Sequence, residues 1–146
     1  MSAVAALARV EVGNTDFRKY TGGREVPWCG YFVLWLFRAV GRPLRGDVVP
    51  NLTTVSPLAY PEALHAFASQ FVVQKQEPGD VVVAVQKSKW ATVHVSVVVE
   101  VGDTTSRVVS GNVLNRVVEH TLQHNDRRIL CYARFPEVFD GYSSAL

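Results

Sequence analysis

Apolar positions along this chain change their spacing near residue 80. Before that point they recur at helical intervals between helix start and stop signals, and beyond Glu77-Pro78-Gly79-Asp80 they fall into strand-like runs. Ser2 is placed to cap an opening helix that runs to about Val12 and ends at Gly13-Asn14. A loop rich in glycine and charge, Thr15 to Pro27, leads to a helix that opens at Cys29 and stops at Gly41, with Pro43 just beyond. Phe32 to Phe37, Ala39 and Val40 make that helix apolar nearly all round, which predicts its burial. A third, short helix is predicted from Pro61, a good first-turn residue, to about Ser69. After the turn, strands are predicted at Val81 to Gln86, Val93 to Val101, Arg107 to Asn112, Arg116 to Leu122 and Ile129 to Arg134. Helices first and strands second imply an α+β fold, with N-terminal helices packed on a C-terminal antiparallel β-sheet.

A chain of 146 residues, 48% of them hydrophobic and 19% charged, suits one domain with its own core, predicted over residues 1–136, followed by a tail or linker stub over 137–146. The net charge of +2 comes from scattered Arg and Lys, so no nucleic-acid surface is expected. Met1 to Val12 lacks a basic leader region and carries Arg9 and Glu11, so no signal peptide is expected. No apolar run approaches the length needed to span a bilayer, so no membrane partner is expected, and a monomer is. Two cysteines are too few for a disulfide framework, and Cys131, within a strand-like run, is expected to be a buried, inert thiol rather than a partner of Cys29.

Cys29 is different because it opens a helix. First-turn N–H groups have no intrahelical partners, and the helix dipole adds partial positive charge, so a thiolate or an oxyanion is favoured there. The same position also suits a buried core thiol, which is where unpaired cysteines are most often found.

In Val93-His94-Val95-Ser96-Val97-Val98-Val99-Glu100-Val101, alternation places His94, Ser96 and Glu100 on the more polar face. If Gly102-Asp103-Thr104 forms the hairpin loop, Val101 pairs with Thr105, Ser96 stands opposite Ser110, and His94 opposite Asn112. A two-residue loop would send them to opposite faces. Asn112 can then fix the orientation of an imidazole that serves Cys29 as a base, while a surface strand histidine and a turn asparagine in Ser110-Gly111-Asn112 suit the two positions equally when each is taken singly.

Ala8 to Gly13, Lys19-Tyr20, Trp28-Cys29-Gly30-Tyr31-Phe32-Val33 to Trp35, Pro78-Gly79-Asp80-Val81-Val82, His94-Val95-Ser96-Val97-Val98, Gly111-Asn112 and Tyr132-Ala133 follow one another in an order that resembles the CHAP family of cysteine amidases and peptidases, relatives of the NlpC/P60 peptidases in the papain-like group. The resemblance implies a papain-like fold and a peptidoglycan hydrolase that cuts an amide in a peptide stem or cross-bridge, or the N-acetylmuramoyl-L-alanine bond. It makes Cys29 the nucleophile, His94 the general base and acid, and Asn112 the orienting residue. Many members carry Glu two residues before this Asn, where this chain has Ser110. Some carry an acidic calcium loop before the cysteine, which Gly22 to Pro27 does not reproduce, so no metal or other cofactor is implied.

Trp28 and Trp90, each beside a catalytic candidate, are expected to wall a cleft, with Tyr20 and Ser110 as further substrate contacts; core packing suits the two tryptophans equally, and a surface-packed loop suits Tyr20. The implied partner is bacterial peptidoglycan, reached from the cytoplasm through a holin or a delivery system, as by a phage lysin, an autolysin or an antibacterial toxin. A non-catalytic wall-binding or assembly module of the same fold is the alternative. A zinc site of His120, His124 and Cys131 is disfavoured, since His-x-x-x-His spacing suits ligands on a helix and this stretch reads as strand and turn.

Overall fold

The computed structural model describes residues 2–53, 68–86 and 89–138, and of residues 51, 86 and 89–93 the backbone only. Helix α1 (Ala3–Val10) begins where the Ser2 side chain accepts a hydrogen bond from the Ala5 N–H, as the sequence predicts. Helix α3 (Cys29–Ala39) also lies where expected. Two short helices are added: α2 (Arg18–Thr21) interrupts the stretch that reads as loop, and α4 (Val48–Thr53) lies between α3 and the helix predicted from Pro61. The helix predicted from Pro61 falls almost wholly outside the described residues, which resume just before a 3-10 turn at Ser69–Phe71.

The β half holds five strands: β1 (Val81–Gln86), β2 (Lys89–Val101), β3 (Thr105–Val113), β4 (Arg116–Gln123) and β5 (Ile129–Ala133). They form one antiparallel sheet in the order β4-β3-β2-β1-β5, so β2 and β3 lie inside it. The fold is therefore α+β with an antiparallel sheet. Helices α1 and α3 both pack on β2, and α3 also packs on β3.

Alternation divides the valines between two apolar layers. Val81, Val83, Val95, Val97, Val99 and Val109 join Phe32, Val33, Leu36 and Phe37 in the main core under the helices. Val82, Val98, Val108 and Leu122 form a second cluster on the opposite face. His94 and Ser96 have the parity of Val98 and belong to that opposite face.

The β2–β3 register is reached by a different route from the one the sequence suggests. Val101 pairs with Ser106 rather than Thr105, and an irregularity between Val98 and Glu100 absorbs the offset, so Val97 faces Val109. A β-bulge of this kind inserts one residue into one strand. The two one-residue deviations cancel, leaving Ser96 across from Ser110 as predicted.

Asp80 anchors the start of β1. Its buried carboxylate accepts two bonds from Arg134, at 2.8 and 2.9 Å, and one from the Glu77 N–H at 2.7 Å. The Gly79 N–H donates to the Val98 carbonyl and the Val98 N–H to that of Asp80. The turn thus fixes β2 four residues from His94. Val138 N–H bonds the Pro43 carbonyl and Arg42 pairs with Glu137, so residues 137 and 138 are tied back to the segment after α3. Among the described residues no helix is long and apolar enough to cross a membrane.

Glycine sets how closely α3 approaches its neighbours. A Cβ on Gly30 would collide with the Leu52 carbonyl of α4, and one on Gly111 would meet Phe32 Cβ at 2.6 Å and Trp28 Cε3 at 3.0 Å. Because the Gly30 obstacle is backbone, Gly30→Ala is expected to destabilise the protein by about 3 kcal/mol or more. Chemical denaturation checks this, and a change below about 1 kcal/mol would contradict the close approach of α3 and α4.

Candidate active site

Cys29 occupies the first position of α3 and is only 7% exposed. Trp28 gives the helix no side-chain cap, which leaves first-turn N–H groups available. The thiol faces the backbone N–H groups of Val95, Gly30 and Cys29 itself, each of which favours the thiolate. Burial is the larger effect and pushes the thiol above its ordinary value. Burial therefore disfavours the preformed thiolate that the helix start alone suggests. Its contact with Val95 sets it against the main chain one residue from His94.

His94 stands opposite Ala84 on β1, whose small side chain leaves space beside the imidazole. Both line a cavity of about 420 Å³ on the sheet face away from the helices. The His94 Nε2 is buried without a hydrogen-bond partner, and burial lowers the imidazole pKa from 6.5 to about 4. No hydrogen bond joins His94 to Cys29 or to Asn112. Cys29 belongs to the core under the helices and does not line this cavity, so the structure sets thiol and imidazole on opposite faces of the sheet and does not bring them together.

Asn112 does reach the site. It borders the His94 cavity and a second one of about 240 Å³, which Trp28, Pro27 and Phe17 also line. Its φ of 62° places it in the left-handed region, within the irregularity between Ser110 and Val113 that interrupts the β3–β4 ladder. Asn112 thus separates the two cavities, where a simple ladder would set it squarely opposite His94.

Ser110 behaves as its register predicts: its Oγ lies 2.5 Å from Ser96 Oγ. It also contacts His120 Nε2 at 2.9 Å, a residue that the zinc reading had set apart from this site. The alternation Val118, His120, Leu122 on β4 was the available signal, since all three line the His94 cavity. His120 is shifted down by burial and by its proximity to His94, so two neutral imidazoles share one chamber.

No family model, curated protein or solved structure matches this chain.

Tyr20 is not placed as a cleft donor. Its hydroxyl donates to Glu11 at 2.8 Å and accepts from Asn14 Nδ2 at 2.8 Å, and Lys19 pairs with the same buried Glu11 carboxylate. The Tyr20 ring stacks on Trp28 at 5.4 Å and meets Phe32 edge-on at 5.0 Å. It supports the residue before Cys29 from behind. Trp28 is itself buried while bordering the second cavity, so core packing and cleft wall coincide in one ring. Trp90 lies in β2, but its side chain is outside the described residues.

Cys29 and Cys131 are both buried and free. Cys131 sits on β5 and His120 on β4, at opposite edges of the sheet, and His124 bonds Ser106, so these three residues cannot share an ion. Among the described residues no group of three or more His, Cys, Asp or Glu is placed to hold a metal.

Burial of neutral His94 has a pH consequence. The unfolded chain takes up this proton as pH drops through 6.5, whereas the folded chain does so only near 4. Stability fully present above pH 6.5 is therefore lost as pH falls toward 4, and His120 shifts in the same direction. The melting temperature should fall across that window and fall less in His94→Gln. An unchanged slope in the variant would contradict the burial of His94.

Proposed function

We propose that the chain is a cysteine amidase or endopeptidase of CHAP type, with a papain-like arrangement of helix and sheet, acting on bacterial peptidoglycan. The observation that carries this reading is the setting of His94. Its unpartnered buried Nε2 lines a cavity, and the main chain one residue further on contacts the thiol of helix-opening Cys29. A buried polar atom without a protein partner is uncommon in a folded protein, and this one faces a cavity in which water or a ligand can supply the missing bond.

In this mechanism the His94 imidazole, which in the resting structure faces the cavity on the side of the sheet away from the helices, first turns toward Cys29, and the proton of Cys29 then passes to it as Sγ bonds to the amide carbonyl carbon. Negative charge on the carbonyl oxygen is held by N–H groups at the start of α3. Collapse breaks the C–N bond, and the amine leaves with the proton from His94. Water then gives a proton to His94 and its oxygen to the thioester, which releases the carboxylic acid and restores the thiol. Asn112, on the wall between the two cavities, orients the imidazole once substrate closes the gap. Apo sites often show such bonds long or unmade. The enzyme acts on the wall after release from the cytoplasm, as a lysin or a delivered toxin would.

The neutral, unpaired resting state of Cys29 and His94 favours a second reading, a wall-binding module that retains the fold without turnover. Release of new amino groups from purified peptidoglycan separates the two. Hydrolysis by the native protein should fall by at least about 10²-fold in both Cys29→Ala and His94→Ala. Binding without hydrolysis would overturn the amidase reading in favour of the module.

A further inference from the structure

The β3–β4 hairpin turns on two residues, Leu114 and Asn115, between the paired Val113 and Arg116. Both have positive φ, 51° and 58°, the signature of a type I′ turn. Asn and Gly suit these positions, and Asn115 conforms. Leucine does not, because its Cβ crowds the backbone in the left-handed region. Leu114 gains nothing from packing in return, being 86% exposed. Neither turn chemistry nor core burial accounts for it.

Its location does. Leu114 borders the cavity that His94 lines, beside apolar Val118 and Leu122. Independently, the buried Nε2 of His94 has no protein partner, which leaves a hydrogen-bonding position open to whatever fills this chamber. The charged residue on its lining is Arg128, whose guanidinium is already bonded to Asp126 at 2.6 Å. The chamber therefore suits an uncharged group with an apolar body and a polar atom for His94, as an amide beside a small apolar side chain would provide.

We propose that Leu114 is a substrate-contacting specificity residue: the hairpin holds it in an unfavourable conformation so that its isobutyl group covers an apolar side chain of the substrate, while a neighbouring substrate amide meets His94. This inference rests on the amidase reading above. It differs from the roles of Cys29 and His94 in that it concerns binding alone.

Steady-state hydrolysis of soluble peptidoglycan fragments by the native protein, Leu114→Asn and Leu114→Met, with thermal melting of each, tests it. Leu114→Asn relieves the turn, so its melting temperature should be equal or higher. Its KM should rise roughly tenfold, the scale of a lost apolar contact, with kcat nearly unchanged because the contact is made equally in ground and transition states. Leu114→Met should keep KM close to native. An unaltered KM in Leu114→Asn, or a lower melting temperature, would overturn the assignment while Cys29-dependent hydrolysis stands. Hydrolysis that persists in Cys29→Ala, or is absent from the native protein, would overturn the amidase reading and the Leu114 contact with it.

Discussion

The close approach of the first turn of α3 to its neighbours is the constraint on which the site depends. At Gly30 the helix lies against the Leu52 backbone, and at Gly111 the third strand lies against Phe32 and Trp28. Side chains at either position would push the helix outward and lift Cys29 from Val95. Packing at this density tolerates little displacement, so the thiol is placed by what surrounds the helix as much as by the helix itself. Tyr20, held by buried Glu11 and stacked on Trp28, closes the same corner from the other side.

That placement changes the chemistry expected of a helix-opening cysteine. The helix field and three N–H groups favour a thiolate, but removal of solvent disfavours it more, and the same holds for an imidazolium at His94. The resting state is then a thiol and an imidazole that are not paired. On the proposed mechanism substrate supplies a polar atom to Nε2, and the imidazole turns toward Sγ so that bond formation needs no free buried thiolate. Neutral His120, linked through Ser110 to Ser96, gives the chamber an ordered polar wall without adding charge.

Much of this was legible in the sequence wherever a pattern is long and repeated. Strand β1 runs over the predicted residues, α3 begins at Cys29 as predicted, and the face shared by His94, Ser96 and Ser110 follows from alternation. Short helices were not legible: α2 and α4 span four and six residues, too few to show a period, and α4 contains Pro50. Nor was the bulge between Val98 and Glu100, whose offset cancels that of the hairpin loop so that a correct register near His94 followed from an incorrect one at Val101. The engagement of the Tyr20 hydroxyl and the burial of Cys29 arise from contacts distant in sequence, which local pattern does not report. His120 could have been placed by the alternation on β4, but its spacing from His124 drew attention to metal binding instead.

The central claim is that Cys29 becomes covalently acylated during turnover. Rapid acid quenching of the native protein mixed with peptidoglycan fragments, followed by intact mass measurement and peptide mapping, tests it directly. The account predicts an adduct on the Cys29 peptide with the mass of the acyl half of the substrate, removed by hydroxylamine as a thioester would be. Turnover with Cys29 unmodified throughout, or an adduct at Cys131, would contradict it.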